Sequence, residues 1–137
     1  MYLNNLWRAV LAVLTSRSIL HFLLNIDRLG NAICAGYYEF TISGRIGYYA
    51  KFNGNRYWLL LQWVVDSSFY PIDGKDHCLR AYCWEKAYIR NSKNKKHRRG
   101  NDIALTLLSI LVLLACLILT PIIWLISLIQ SVKQKFD

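Results

Sequence analysis

IALTLLSILVLLACLILTPIIWLISLIQ, residues 103–130, holds no charged side chain. Directly before it stands RNSKNKKHRR, residues 90–99, with six Lys or Arg in ten positions. An uncharged apolar run of more than about 18 residues reads as a membrane span, because a helix satisfies its own backbone in hydrocarbon. Lys and Arg beside a span stay on the cytoplasmic side. The pair therefore predicts a bilayer protein with residues 1–102 in the cytoplasm and a short C-terminal tail on the far side. A 28-residue helix is about 42 Å long, against a hydrocarbon core of about 30 Å. Pro121 removes a backbone donor and is expected to kink the helix. Trp124 falls about 32 Å from Ile103, at the depth of an outer aromatic belt. The expectation is a span from Ile103 to Ile123 and an interfacial foot from Trp124 to Gln130, with Lys133, Lys135 and Asp137 in water beyond it. A re-entrant turn at Pro121 leaves a second arm too short to cross back.

The 137 residues leave room for one small domain in front of this anchor. Net charge is +9, and six of the positive charges lie in the block before the span. The basicity is thus concentrated there, and anionic lipid headgroups are its simplest partner, at about 1 kcal/mol per Lys or Arg. Arg90, Lys93, Lys95, Lys96, Arg98 and Arg99 are the expected lipid-phosphate contacts. Nucleic acid is the rival partner for the same charges. Of the four cysteines, Cys116 lies inside the apolar run, and Cys34, Cys78 and Cys83 form no CxxC pair. Reduced thiols facing the cytoplasm are expected, with no disulfide framework. Nothing resembling a cleavage site follows the short apolar stretch Ala9–Leu14, so the N-terminus reads as a retained segment.

Residues 1–25 read as a hydrophobic, modestly amphipathic helix, a core element or one lying in the membrane interface with Trp7 at headgroup level. Residues 26–89 read as a small helical domain. Thr41 or Ser43 caps a helix ended by Asn53-Gly54, and Asn55 opens the next, with Tyr57, Trp58, Leu61, Val64, Val65 and Ser68 on its apolar side. Tyr70-Pro71 is expected to stop it. Asp73-Gly74-Lys75-Asp76 then resembles a capping box for a helix reaching about Tyr88, which buries Cys78, Ala81, Tyr82 and Trp84. Residues 90–102 form a basic linker, 103–130 the membrane helix and 131–137 a polar tail. The fold class is all-α: a small helical domain followed by one C-terminal transmembrane helix.

Candidate chemistry is sparse. Asp76-His77-Cys78 are neighbours on one helix and point about 100° apart, so they do not converge as nucleophile and base. No four-ligand metal spacing and no glycine-rich phosphate loop occur, so no metal, cofactor or enzymatic activity is expected. Glu39, Thr41, Ser43 and Arg45 flank a helix start, where they suit an anion or a partner's carboxylate. The plainer alternative is a capping network with a Glu39–Arg45 surface ion pair. With His77 these four are the candidate partner-binding residues. Tyr37-Tyr38, Tyr48-Tyr49 and Phe69-Tyr70 suit either base stacking or core packing.

Three short motifs carry a resemblance: Ile26-Asp27-Arg28-Leu29-Gly30-Asn31-Ala32, then Glu39-x-Thr41-Ile42-Ser43-x-Arg45-x-Gly47, then His77-Cys78-x-x-Ala81-Tyr82. Between about Ile26 and Glu85 the chain resembles a family of small proteins from tailed bacteriophages and prophages. That family has no settled function, and its members carry a more acidic, glycine-rich run where this chain has residues 35–40. The resemblance implies a bacterial host and its inner membrane. The functional expectation is a phage accessory protein that binds host or phage proteins at the membrane, for host interference or superinfection exclusion. Holin-like or spanin-like lysis and membrane-tethered nucleic-acid binding are the other classes; a small-molecule substrate is not expected.

Overall fold

The computed structural model describes residues 8, 9, 12, 17–89 and 97–136. Among them the chain forms five helices and no strand: α1 (Arg17–Ile33), α2 (Ile42–Asn53), α3 (Arg56–Asp73), α4 (His77–Tyr88) and α5 (Asp102–Phe136). Much of the expected N-terminal helix, Trp7 included, and Arg90, Lys93, Lys95 and Lys96 lie outside the described residues. The fold is a small helical domain with a long apolar C-terminal helix, and α5 is long and apolar enough to cross a membrane.

Local signals set several helix ends. Thr41 caps α2, accepting the Gly44 N–H at 3.0 Å, and Asn55 caps α3, accepting the Tyr57 N–H at 3.2 Å. Gly54 closes α2 with a left-handed backbone at φ 57°, which costs a residue without Cβ nothing. Two expectations need correction. The third helix does not stop at Tyr70: Pro71 sits inside its last turn, where it removes the helical donor to the Ser67 carbonyl, and the helix still runs on to Asp73. Nor does Asp73 cap α4, which begins at His77. Its N-cap residue Asp76 makes no side-chain cap bond. The cap comes from α3 instead, where Asp66 accepts the Cys78 N–H at 2.8 Å.

The place of α5 differs from a tether. Tyr57 donates its hydroxyl to the Leu105 carbonyl at 2.7 Å and shares a 2.9 Å bond with Ser109. Further along both helices, Thr120 donates to the Ser68 hydroxyl at 2.8 Å. Helices α3 and α5 therefore run parallel and side by side. Ala104, Leu108, Val112 and Cys116, one turn apart, are buried, and the last three join Ile42, Ile46, Trp58 and Cys78 in the core. Helix α1 packs on the other flank of α5, while α2 and α4 pack on one another behind this layer. The domain thus lies alongside the apolar helix and not in front of it. Helix α5 also continues through Pro121 to Phe136, without a break between the expected span and the residues after it.

The crossing of α2 and α4 is close because Gly47 has no side chain. A Cβ there would stand 2.2 Å from the Cys78 carbonyl oxygen, which is backbone and cannot swing away. Gly47→Ala should lower the unfolding free energy by about 1–3 kcal/mol, the usual cost of overpacking. Denaturant titration of the protein in detergent micelles measures this, and an unchanged midpoint would contradict the close crossing.

Candidate functional site

The polar interior centres on Arg45, whose side chain is 0 % exposed. Its Nη1 donates to Asn31 Oδ1 at 3.1 Å and to the Cys34 carbonyl at 2.9 Å. Its Nη2 donates to the Arg99 carbonyl at 2.5 Å. Trp58 lies under the guanidinium at 5.9 Å. No carboxylate among the described residues balances the charge, and burial pulls the Arg45 pKa down from its ordinary value. Asn31, also fully buried, spends its amide protons on the Tyr37 and Phe40 carbonyls at 3.0 Å each. One guanidinium and one amide thereby hold the end of α1, the α1–α2 loop, α2 and the approach to α5.

A second polar group sits at the start of α2. Glu85 Oε1 accepts the Thr41 N–H at 2.8 Å and the Thr41 hydroxyl at 2.5 Å, and Asp27 accepts the Ile42 N–H at 3.2 Å. Gly44 makes room, since a Cβ there would stand 1.9 Å from Glu85 Oε2. Burial pushes Glu85 up to about 7 and Asp27 up to about 6, outweighing the bonds that favour their charged forms. The carboxylate suited to this helix start is therefore the chain's own.

The candidate residues separate accordingly. Thr41 and Arg45 are buried and unavailable to a partner, and Arg45 faces inward instead of pairing with Glu39 at the surface. Glu39, Ser43 and His77 are half-buried. His77 pairs with Asp73 and stacks on Phe69 at 4.3 Å, on a different helix from Ser43 and Arg45. The structure does not gather the five into one site. Of the expected lipid contacts, Arg98 and Arg99 are exposed, with Arg98 5.3 Å over the Tyr37 ring. The end of the basic run is fixed: His97 is buried against Phe40 and Tyr48, and Tyr49 donates its hydroxyl to the His97 carbonyl at 2.5 Å. Burial pulls the His97 pKa down to about 4, so this ring is neutral at pH 7. Tyr48 also packs on Tyr82, Tyr49 stacks on Trp58, and Trp84 is exposed instead of buried.

Among the described residues a broad surface is apolar. Only 22 % of the most apolar stretch of α5 is buried, and Ile110, Leu114, Leu117 and Ile118 stand in the open. Leu60 and Trp63 of α3 and Phe22, Ile26 and Leu29 of α1 are exposed as well. Soluble monomers seldom leave a surface of this kind uncovered. Compared with known proteins, the chain matches no family model, no curated protein and no solved structure.

Two predictions follow from the polar groups. Arg45→Lys keeps the charge but not the fork that reaches three acceptors. It should cost about 2–4 kcal/mol, as buried carbonyls lose their donors. It should also speed alkylation of buried Cys34; equal stability and equal alkylation would contradict the role given to Arg45. For Glu85, a pKa raised by folding means that the folded chain holds the proton more tightly. Its contribution to stability is present below its ordinary value of 4.5 and is lost as pH rises through about 7. Glu85→Gln removes that titration, so the variant should gain stability relative to the parent between about pH 5 and pH 7.5, by about 1.4 kcal/mol per pK unit. His97 titrates with the opposite sign in both proteins and cancels in the difference. Parallel unfolding curves at the two pH values check this, and a constant difference would contradict it.

Proposed function

We propose that the protein is a membrane-bound accessory protein of phage or prophage origin that works by binding other proteins at the bacterial inner membrane. The observation that carries the membrane part is the exposed apolar surface of α5, continued on α1 and α3. The phage part rests on the three sequence motifs. The domain belongs on the cytoplasmic side, because Arg98 and Arg99 are exposed where the chain enters α5. A partner surface is available on α4, where Trp84 stacks on Tyr88 at 5.1 Å with both rings exposed beside Lys86. Aromatic anchors with a basic neighbour are common at protein interfaces.

Lysis is the weaker reading. The hydroxyls of α5 that would line a lesion are already engaged: Thr106 bonds to the Asp102 carbonyl, Ser109 to Leu105 and Tyr57, and Thr120 to Ser68 and Cys116. Nucleic-acid binding loses much of its aromatic platform, since Tyr48, Tyr49 and Phe69 pack inside the domain.

Cell fractionation tests the membrane reading. The protein should pellet with membranes, stay there in high salt and come off in detergent, without depolarising cells that express it alone. Release by salt would contradict the apolar attachment. Sudden depolarisation would favour lysis.

A further inference from the structure

We infer that the membrane-facing surface is a plane shared by α1, α5 and α3, and that α5 lies along one leaflet instead of crossing the bilayer. This rests on the membrane reading above and specifies how the protein is seated.

The first observation is on α1. Phe22, Ile26, Leu29 and Ile33 recur at helical spacing as one stripe, and all four are exposed, Phe22 at 63 %. Asn31 and Asp27, on the opposite side, hold the domain. The stripe therefore points away from the core. Gly30, on the flank between, packs against the Leu111 side chain of α5. Leu107 and Leu114, one turn either side of Leu111, are exposed, so the stripe continues onto α5. Beyond α5, Trp63 of α3 is 67 % exposed. A mainly apolar surface three helices wide matches a sheet of lipid better than it matches a single partner helix.

The second observation is the placement of charge. Arg98 and Arg99 precede α5, and Lys133 and Lys135 fall in its last turn. Cations at both ends of α5 complement a single anionic surface. A crossing helix would place the two ends at opposite surfaces.

The third observation is the packing behind the plane. Helix α3 lies beside α5 from Leu105 to Thr120. Trp124 faces a cleft that also holds Lys75, Asp76 and Asp66. Lys51, Arg80 and Lys86 are exposed on α2 and α4, the layer behind. If α5 crossed with the domain attached, these charges would lie at hydrocarbon depth. In the plane of the leaflet they face water.

The test uses the full chain with green fluorescent protein or alkaline phosphatase fused at its C-terminus, expressed in a bacterial cell and fractionated. The first reporter fluoresces in the cytoplasm and the second works only outside it. The expected result is a membrane-pelleting protein with a fluorescent C-terminus and a silent phosphatase. Active phosphatase on a membrane-pelleting protein would overturn the in-plane seat and leave membrane association standing. A soluble protein would overturn both. The second arm is Ile26→Glu with Leu29→Glu, two exposed positions, checked for native helicity by circular dichroism. The double variant should move most of the protein into the supernatant of an alkaline carbonate wash, whereas Lys86→Glu on the layer behind should not. Full retention of the double variant would overturn the proposed role of α1.

Discussion

Arg45 is buried without a carboxylate partner among the described residues, an arrangement that costs several kcal/mol unless its acceptors are well placed. The compensation comes from three oxygens of three separate segments: the Asn31 side chain, the Cys34 carbonyl just past α1 and the Arg99 carbonyl just before α5. The Cys34 carbonyl also lies at the negative end of the α1 dipole, which favours a cation. Because Arg99 is one of the acceptors, the direction in which the chain enters α5 is fixed. Tyr49 adds a second tie through the His97 carbonyl. Without these bonds α5 would be free to swing as a tether; with them it is laid along α3.

From that follows the double use of α5. One side of the helix, through Leu108, Val112 and Cys116, completes the core of the domain. The other side stays apolar and uncovered. The helix cannot leave the domain to cross a bilayer without opening the core, and it cannot carry the domain with it without immersing charges. Each charge at the bilayer centre costs about 2.5–3.5 kcal/mol even on the lenient insertion scale. Lying in one leaflet avoids both costs and brings the α1 stripe into the same layer.

What the sequence made legible was local. The Thr41 and Asn55 caps, the Asn53-Gly54 turn and the apolar side of α3 depend on residues a few positions apart. What it hid depends on distance along the chain. Glu85 lies 44 residues from the Thr41 it bonds, and Tyr57 48 residues from Leu105. Gly44 and Gly47, one turn apart inside a helix, were the available signal that another element approaches there. That the run 103–130 also packs against the domain was hidden for a related reason. Its buried side and its exposed side are both apolar, so no periodicity separates core from lipid. The burial of His97 was hidden as well, because a charged neighbourhood gives no sign of three aromatic rings folded around one member.

The central claim is that α5 is bound to its own domain and rests within one leaflet. Spin labels placed singly at Leu107, Leu114, Ile118 and Leu125, after Cys83→Ser, report depth through their relative collisions with oxygen and a water-soluble nickel chelate. The account predicts similar depths at all four exposed positions. A depth that climbs to the bilayer centre near Leu114 and falls again by Leu125 would contradict it.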